Sequence, residues 1–161
     1  MPSRTAKTPP DELFMEEALR EAQRAQALGE VPVGAVIVRE GKVIARGVNR
    51  NLTDADPSAH AEIVALREAA RRMENHRLED CEMFVTLEPC AMCAGALVHA
   101  RLRRLVYGAA DPKAGAVRSV LKVLNHPRLN HKMKVKSGVL AGRCGELLRG
   151  FFRVRRGGKT R

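Results

Sequence analysis

The sequence predicts an α/β domain built on a mixed sheet. Two observations carry this. Residues 33–38 and 43–48 are short, nearly continuous apolar runs joined by a four-residue connection containing Gly41, the pattern of a β-hairpin. After them, helix-like and strand-like segments alternate at short intervals, which places the later strands parallel. A length of 161 residues is that of one domain. Its ordered core is expected over residues 9–156, with flexible tails at 1–8 and 157–161.

Each element has a local reason. Thr8-Pro9-Pro10-Asp11 reads as a helix start, with Thr8 as cap and Asp11 at the capping-box position. Phe14, Ala18, Ala22, Ala25 and Leu28 then recur at helical spacing, and Gly29 is placed to stop the helix. Residues 49–55 form a polar loop. Asp56-Pro57 reads as the start of a second helix, capped by Asp56, that carries His60, Glu62, Ile63, Leu66, Ala69 and Met73. A strand over 82–86 leads into a helix from Cys90 to Ala100, and a fourth strand follows over 104–108. Residues 117–124 are expected to be a short helix, 125–132 a polar basic loop and 135–139 a fifth strand. A terminal helix over 141–156 carries Arg149, Arg153 and Arg156 on one stripe, with Leu147, Phe151 and Val154 on another that reads as core.

Composition narrows the function. No apolar run approaches the ~20 residues of a membrane span. The N-terminus lacks the apolar segment of a secretory signal. Four cysteines without such a signal point to a reducing, cytoplasmic setting rather than a disulfide framework. The net charge of +11 is lopsided: residues 117–161 hold 13 Lys/Arg against Glu146 alone. That asymmetry is the electrostatic footprint of a polyanion-binding surface.

The chemistry centres on Pro89-Cys90-Ala91-Met92-Cys93. Proline suits a first helical turn, which puts both thiols on one face at a helix N-terminus, where thiolates are favoured. The pair alone is compatible with a redox couple, a structural metal site or a catalytic one. Cys81 and Cys144 are single and widely spaced, and read as core thiols. His60, near its own helix start, is the best third ligand, and three protein ligands with one open position is the catalytic zinc arrangement. The positive helix end is expected to keep His60 neutral. Glu62, two residues on, is then a general base held off the metal, because two thiolates and an imidazole already neutralise Zn²⁺. His76, His99, His126 and His131 have no ligand partners at recognisable spacing; His126 and His131 read as surface groups beside a polyanion.

His60-Ala61-Glu62 followed by Pro89-Cys90-Ala91-Met92-Cys93 resembles the zinc-dependent nucleoside and nucleobase deaminases, whose signature and mechanism are established for that family. Val31-Pro32-Val33-Gly34-Ala35-Val36, Asn49-Arg50, the Asp56 to Glu62 stretch, Tyr107-Gly108-Ala109, Asn125-His126-Pro127 and Phe151-Phe152-Arg153 resemble in particular the bacterial tRNA-specific adenosine deaminases. The similarity runs from about residue 11 to 156. It implies a three-layer α/β/α fold with a five-stranded mixed sheet. It also implies a homodimer, with one Zn²⁺ per subunit and no nucleotide cofactor or membrane partner. The implied reaction converts the wobble adenosine of a tRNA anticodon stem-loop to inosine, by zinc-bound hydroxide attack at C6 and a Glu62 proton shuttle. Asn49 matches a residue that hydrogen-bonds the flipped base, Ala61 and Glu88 match positions lining the pocket, and Asp111 matches an acidic position near the nucleotide backbone. Phe152 and Arg153 fall on the implied RNA path; Phe152 could stack on a base, but from the residue alone core packing is the stronger reading. Val48 and Ala110 depart from the Trp and Arg of some relatives. Without the resemblance, a deaminase of another base and a nucleic-acid-binding module with structural zinc both remain open.

Overall fold

The computed structural model describes residues 9–157. Thr8 and the terminal tails fall outside them, except for Gly157, which is the last residue of a helix. In chain order the elements are α1 (Pro10–Ala27), β1 (Gly34–Arg39), β2 (Lys42–Val48), α2 (Ala61–Met73), β3 (Cys81–Leu87), α3 (Ala91–Ala100), β4 (Arg104–Ala109), β5 (Lys134–Lys136) and α4 (Ala141–Gly157).

The strands form one mixed sheet in the order β2-β1-β3-β4-β5. β1 runs antiparallel to β2 and β3, while β3, β4 and β5 are mutually parallel. The hairpin turns at Glu40 and Gly41, whose φ angles of 51° and 74° match the right-handed twist of the flanking strands. Side chains alternate across the sheet. Ala35, Ile37, Met83, Val85 and Leu105 pack under α2 and α3. Val36, Val38, Phe84 and Val106 pack under α1 and α4. The result is three layers, α/β/α, around two apolar cores.

Two glycines set how closely the layers approach. A Cβ at Gly34 would lie 2.2 Å from the Ala18 carbonyl oxygen of α1, and one at Gly47 would lie 2.1 Å from the Ala61 carbonyl oxygen of α2. Both neighbours are backbone and have no rotamer to yield. Gly47→Ala is therefore expected to cost about 1–3 kcal/mol and to lower Tm by roughly 5–10 °C in calorimetry. An unchanged Tm would show that α2 can retreat from β2 freely.

Five expectations give way. Pro9, not Thr8, is the N-cap of α1, with no side-chain cap bond. Asp11 does not cap the helix but pairs with Arg104 of β4 at 2.6 Å and Lys136 of β5 at 2.8 Å. The Arg104 guanidinium holds its carboxyl below the usual range. Asp56-Pro57 does not open α2: Asp56 Oδ1 accepts from the Ser58 N–H at 2.8 Å and hydroxyl at 2.7 Å, a closed turn, and the helix begins after His60. Residues 117–124 are not helical, because a buried carboxylate captures their N–H groups. The fifth strand is shorter and earlier than 135–139. It pairs parallel with β4, from Arg104 opposite Lys134 to Val106 opposite Lys136.

Candidate active site

Both parallel strands β3 and β4 end at the same edge, and the N-termini of α2 and α3 open there. His60 is the N-cap of α2 and Cys90 the N-cap of α3, while Cys93 lies in the first turn of α3. No side chain of its own caps α2. Asn49, arriving from the end of β2, accepts the Ala61 N–H on Oδ1 at 3.1 Å. That bond seats the start of α2 beside α3 and brings His60 to the two cysteines.

His60 Nδ1 lies 3.6 Å from Cys90 Sγ and 3.4 Å from Cys93 Sγ. All three ligand atoms fall within 4.8 Å of one another, and this is the metal-compatible cluster among the described residues. A tetrahedral Zn²⁺ with Zn–S of about 2.3 Å and Zn–N of about 2.0–2.1 Å requires S···N separations of about 3.6 Å. The residues fit the ion. They supply two soft thiolates and one imidazole, leaving a fourth position for water or substrate.

The protons at this cluster are shared. A bond from the Cys93 thiol, together with His60, brings Cys90 down to about 3. Cys93 itself goes up, through that same bond, burial and the neighbouring Glu62 carboxylate. His60 is raised, chiefly by its bond to Cys90 and also by the Glu62 and Cys90 charges, with burial opposing them. Holding a cation would require these groups as thiolates and neutral imidazole, the ligating forms.

Glu62 stands behind the ligands in the first turn of α2 and is 4% exposed. Burial raises its pKa, against its own backbone N–H, His60 and a bond from the Cys93 thiol, which lower it. A carboxylate raised in this way is suited to exchanging protons nearer neutrality.

These groups open onto a cleft of about 1020 Å³. His60, Glu62 and Cys90 line its floor, joined by Asn49 and Asn51 from the loop after β2. The loop after β4 contributes Asp111, Lys113 and their neighbours, and α4 contributes Leu148, Arg149, Phe152 and Arg156. With its carbonyl oxygen committed to Ala61, Asn49 presents its amide NH₂ as the donor the cleft can use.

Several predicted site residues take different places. Ala61 is fully buried and does not line the cleft, its N–H being held by Asn49. Glu88 reaches the lining, but its carboxylate is spent on the chain itself. Oε1 accepts from the Asp111 N–H at 3.1 Å and from the Ser119 hydroxyl. Oε2 accepts from Val117, Arg118 and Ser119 N–H at 3.1, 2.9 and 3.0 Å. Burial raises the Glu88 pKa, and these donors overcome it, to about 2. Asp111 lines the cleft with Oδ1 accepting from the Lys113 and Ala114 N–H groups.

Phe152 is not core; it is 43% exposed and lines the cleft. Val154, also read as core, is 77% exposed. Arg153 is exposed outside the lining, whereas Arg149 and Arg156 stand in it. Cys81 and Cys144 are buried free thiols, as read; burial raises both, Cys144 to about 11. His131 is no free surface group: its Nε2 lies 2.6 Å from the Leu102 carbonyl oxygen. Sequence reasoning missed Asn51, a half-buried loop residue, and Lys113, an exposed one, neither of which has a spacing signal, and Glu30, whose only signal was an acid directly behind a helix-stopping glycine.

Comparison with known proteins agrees with this geometry. The family model of the MafB19-like deaminases matches residues 10–156. The tRNA-specific adenosine deaminase of Haemophilus influenzae is 48% identical over 147 residues, covering 91% of this chain and 85% of its own. That of Bacillus subtilis is 47% identical over 143 residues, 89% of each chain. A solved tRNA:A34 deaminase, from work on A-to-I editing at the wobble position of transfer RNA, superposes with a TM-score of 0.82 at 47% identity. It covers 84% of this chain and 99% of that one. Guanine deaminase from Nitrosomonas europaea shares the fold at a TM-score of 0.77 and 27% identity, covering 92% of this chain and 86% of that one. From its signature residues to its sheet order, the chain belongs to the family of the tRNA-specific adenosine deaminases.

Proposed function

We propose that the protein hydrolyses adenosine to inosine at the wobble position of a tRNA anticodon stem-loop, as a single deaminase domain holding one Zn²⁺ in a homodimer. The observation that carries this reading is the buried Glu62 beside His60, Cys90 and Cys93 at the floor of a cleft whose wall on α4 is cationic and aromatic. All four cysteines are free, which suits thiolate ligands and a reducing cytoplasm. Among the described residues no helix is long and apolar enough to cross a membrane.

His60, Cys90 and Cys93 would hold the zinc, which as a Lewis acid makes water acidic enough to lose a proton near neutrality. Glu62 takes that proton and delivers it to N1 of the purine while oxygen bonds to C6. A second proton passes by way of Glu62 to the exocyclic amino group, the C6–N bond breaks and ammonia leaves. Adenosine and water thus give inosine and ammonia. The Asn49 amide donates to an acceptor on the flipped base and keeps it against the floor. Phe152 offers a face for a neighbouring base, and Arg149 and Arg156 meet the phosphates.

Two measurements test this. Inosine formation in an anticodon stem-loop should far exceed ammonia release from free guanine or adenine; preference for a free base would move the protein to another deaminase class. With two to four phosphates contacted, Kd for the stem-loop should rise roughly 7- to 50-fold between 50 and 200 mM salt, from a single-strand slope of about −0.7 per contact. A flat salt dependence counts against RNA.

A further inference from the structure

We propose that two buried carboxylates away from the reacting atoms, Glu30 and Glu88, are positioning residues that fix the two loops lining the substrate cleft and thereby set its affinity for RNA. The functional half of this rests on the proposed reading of the cleft as an RNA site.

Glu30 is 1% exposed and Glu88 2% exposed. Each is held by regular structure on one side. Glu30 follows Gly29 at the end of α1, and its N–H bonds the Ala25 carbonyl at 2.9 Å. Glu88 follows β3, and its N–H bonds the Ala109 carbonyl at 2.9 Å. Each carboxylate then collects the inward N–H groups of an irregular loop, which have no ladder partner of their own.

Glu30 accepts from Leu52 N–H at 3.2 Å and from Thr53 N–H and hydroxyl, both at 2.6 Å. The loop so held supplies Asn49 and Asn51 to the cleft and runs on to His60. Glu88 accepts the five donors given above, more than the about four lone-pair sites of a carboxylate, which leaves none for a substrate. Its loop supplies residues 109–114 of the wall. Gly115 is the point of closest approach: a Cβ there would lie 2.4 Å from Glu88 Cδ. Ala116 N–H adds a bond to the Pro89 carbonyl at 2.8 Å. The Glu88-Pro89 pair thus ties the cleft wall to the segment that begins the cysteine helix.

The test combines exchange and kinetics in zinc-loaded full-length protein. In Glu30→Gln, exchange of the Leu52 and Thr53 amides should quicken by at least about tenfold, and in Glu88→Gln that of Asp111, Val117, Arg118 and Ser119, as loss of charge-assisted buried bonds implies. Amides of α2 and β3 should stay protected, and zinc should stay equimolar. On the stem-loop, KM should rise about tenfold or more with kcat within about threefold, the mark of lost uniform binding. Thr53→Val removes one donor to Glu30, and Gly115→Ala crowds the Glu88 carboxylate; both keep the two glutamates themselves, and both should shift exchange and KM in the same direction even if a glutamine variant fails to fold. Glu30→Asp and Glu88→Asp keep the charge and should recover part of the KM loss.

Unchanged loop exchange overturns the proposal, as does faster exchange with KM unmoved, or a fall in kcat that follows zinc loss. A wild-type protein that makes no inosine refutes the RNA reading instead, and the exchange data then decide the anchors alone.

Discussion

Glu62→Ala is expected to lose most turnover, by about 10²–10⁴-fold or more in kcat, while keeping its fold and one zinc per chain. The size follows from one carboxylate serving two proton transfers, from water to N1 and then to the departing amino group. Among the described residues lining the cleft, no other carboxylate is free to replace it. Glu88 reaches the cleft, but its five donors saturate it. Asp111 accepts from two backbone N–H groups of its own loop. Glu62→Gln keeps the shape and a hydrogen bond but cannot carry a proton, and should be nearly as slow. Metal analysis and a melting curve on the same samples separate loss of chemistry from loss of the site. Turnover within about tenfold of wild type in either variant would remove Glu62 from the mechanism.

Cys90→Ala should lose zinc and stability together. The thiol lies 3.6 Å from the third ligand, His60, and its residue caps α3. Removing it would leave only His60 and Cys93 to hold an ion. Structural zinc sites bind with apparent free energies of about 10–16 kcal/mol in peptides that fold only with metal, and part of such energy stabilises the fold. Here the two apolar cores supply much of the stability, so the loss should be partial: zinc content falling toward zero and Tm falling by several degrees. Chelation of wild-type protein should lower its Tm to a similar value and leave the variant's unmoved. A variant that keeps one zinc at wild-type affinity would contradict the assigned ligand set.

How far the sequence discloses this site depends on where each residue finds its partner. His60 with Glu62, and Cys90 with Cys93, are legible because each pair works within one turn of one helix start. The hairpin was legible for the same local reason. The true start of α2 was not, because Asp56 closes a turn on Ser58 while the capping oxygen comes from Asn49 at the end of β2. Residues 117–119 have a plausible helical pattern, yet Glu88, some thirty residues earlier, takes three successive N–H groups from it. Along α4, periodicity marks Leu147, Phe151 and Val154 as core, yet Leu147 and Phe151 are only half-buried and Val154 is exposed. Only Cys144 and Leu148 are buried, since the helix runs on past the core. The exposed end of that helix is where Phe152, Arg149 and Arg156 meet the cleft.

Hydrolysis of a wobble adenosine by water activated at His60, Cys90, Cys93 and Glu62 leaves its mark on the product. Its most direct test is incubation of the zinc-loaded protein with an anticodon stem-loop in heavy-oxygen water, followed by mass analysis of the RNA. One inosine is expected, at the wobble position, carrying the heavy oxygen at C6, with one ammonia released per inosine. An RNA left as adenosine, or an inosine without the label, would contradict it.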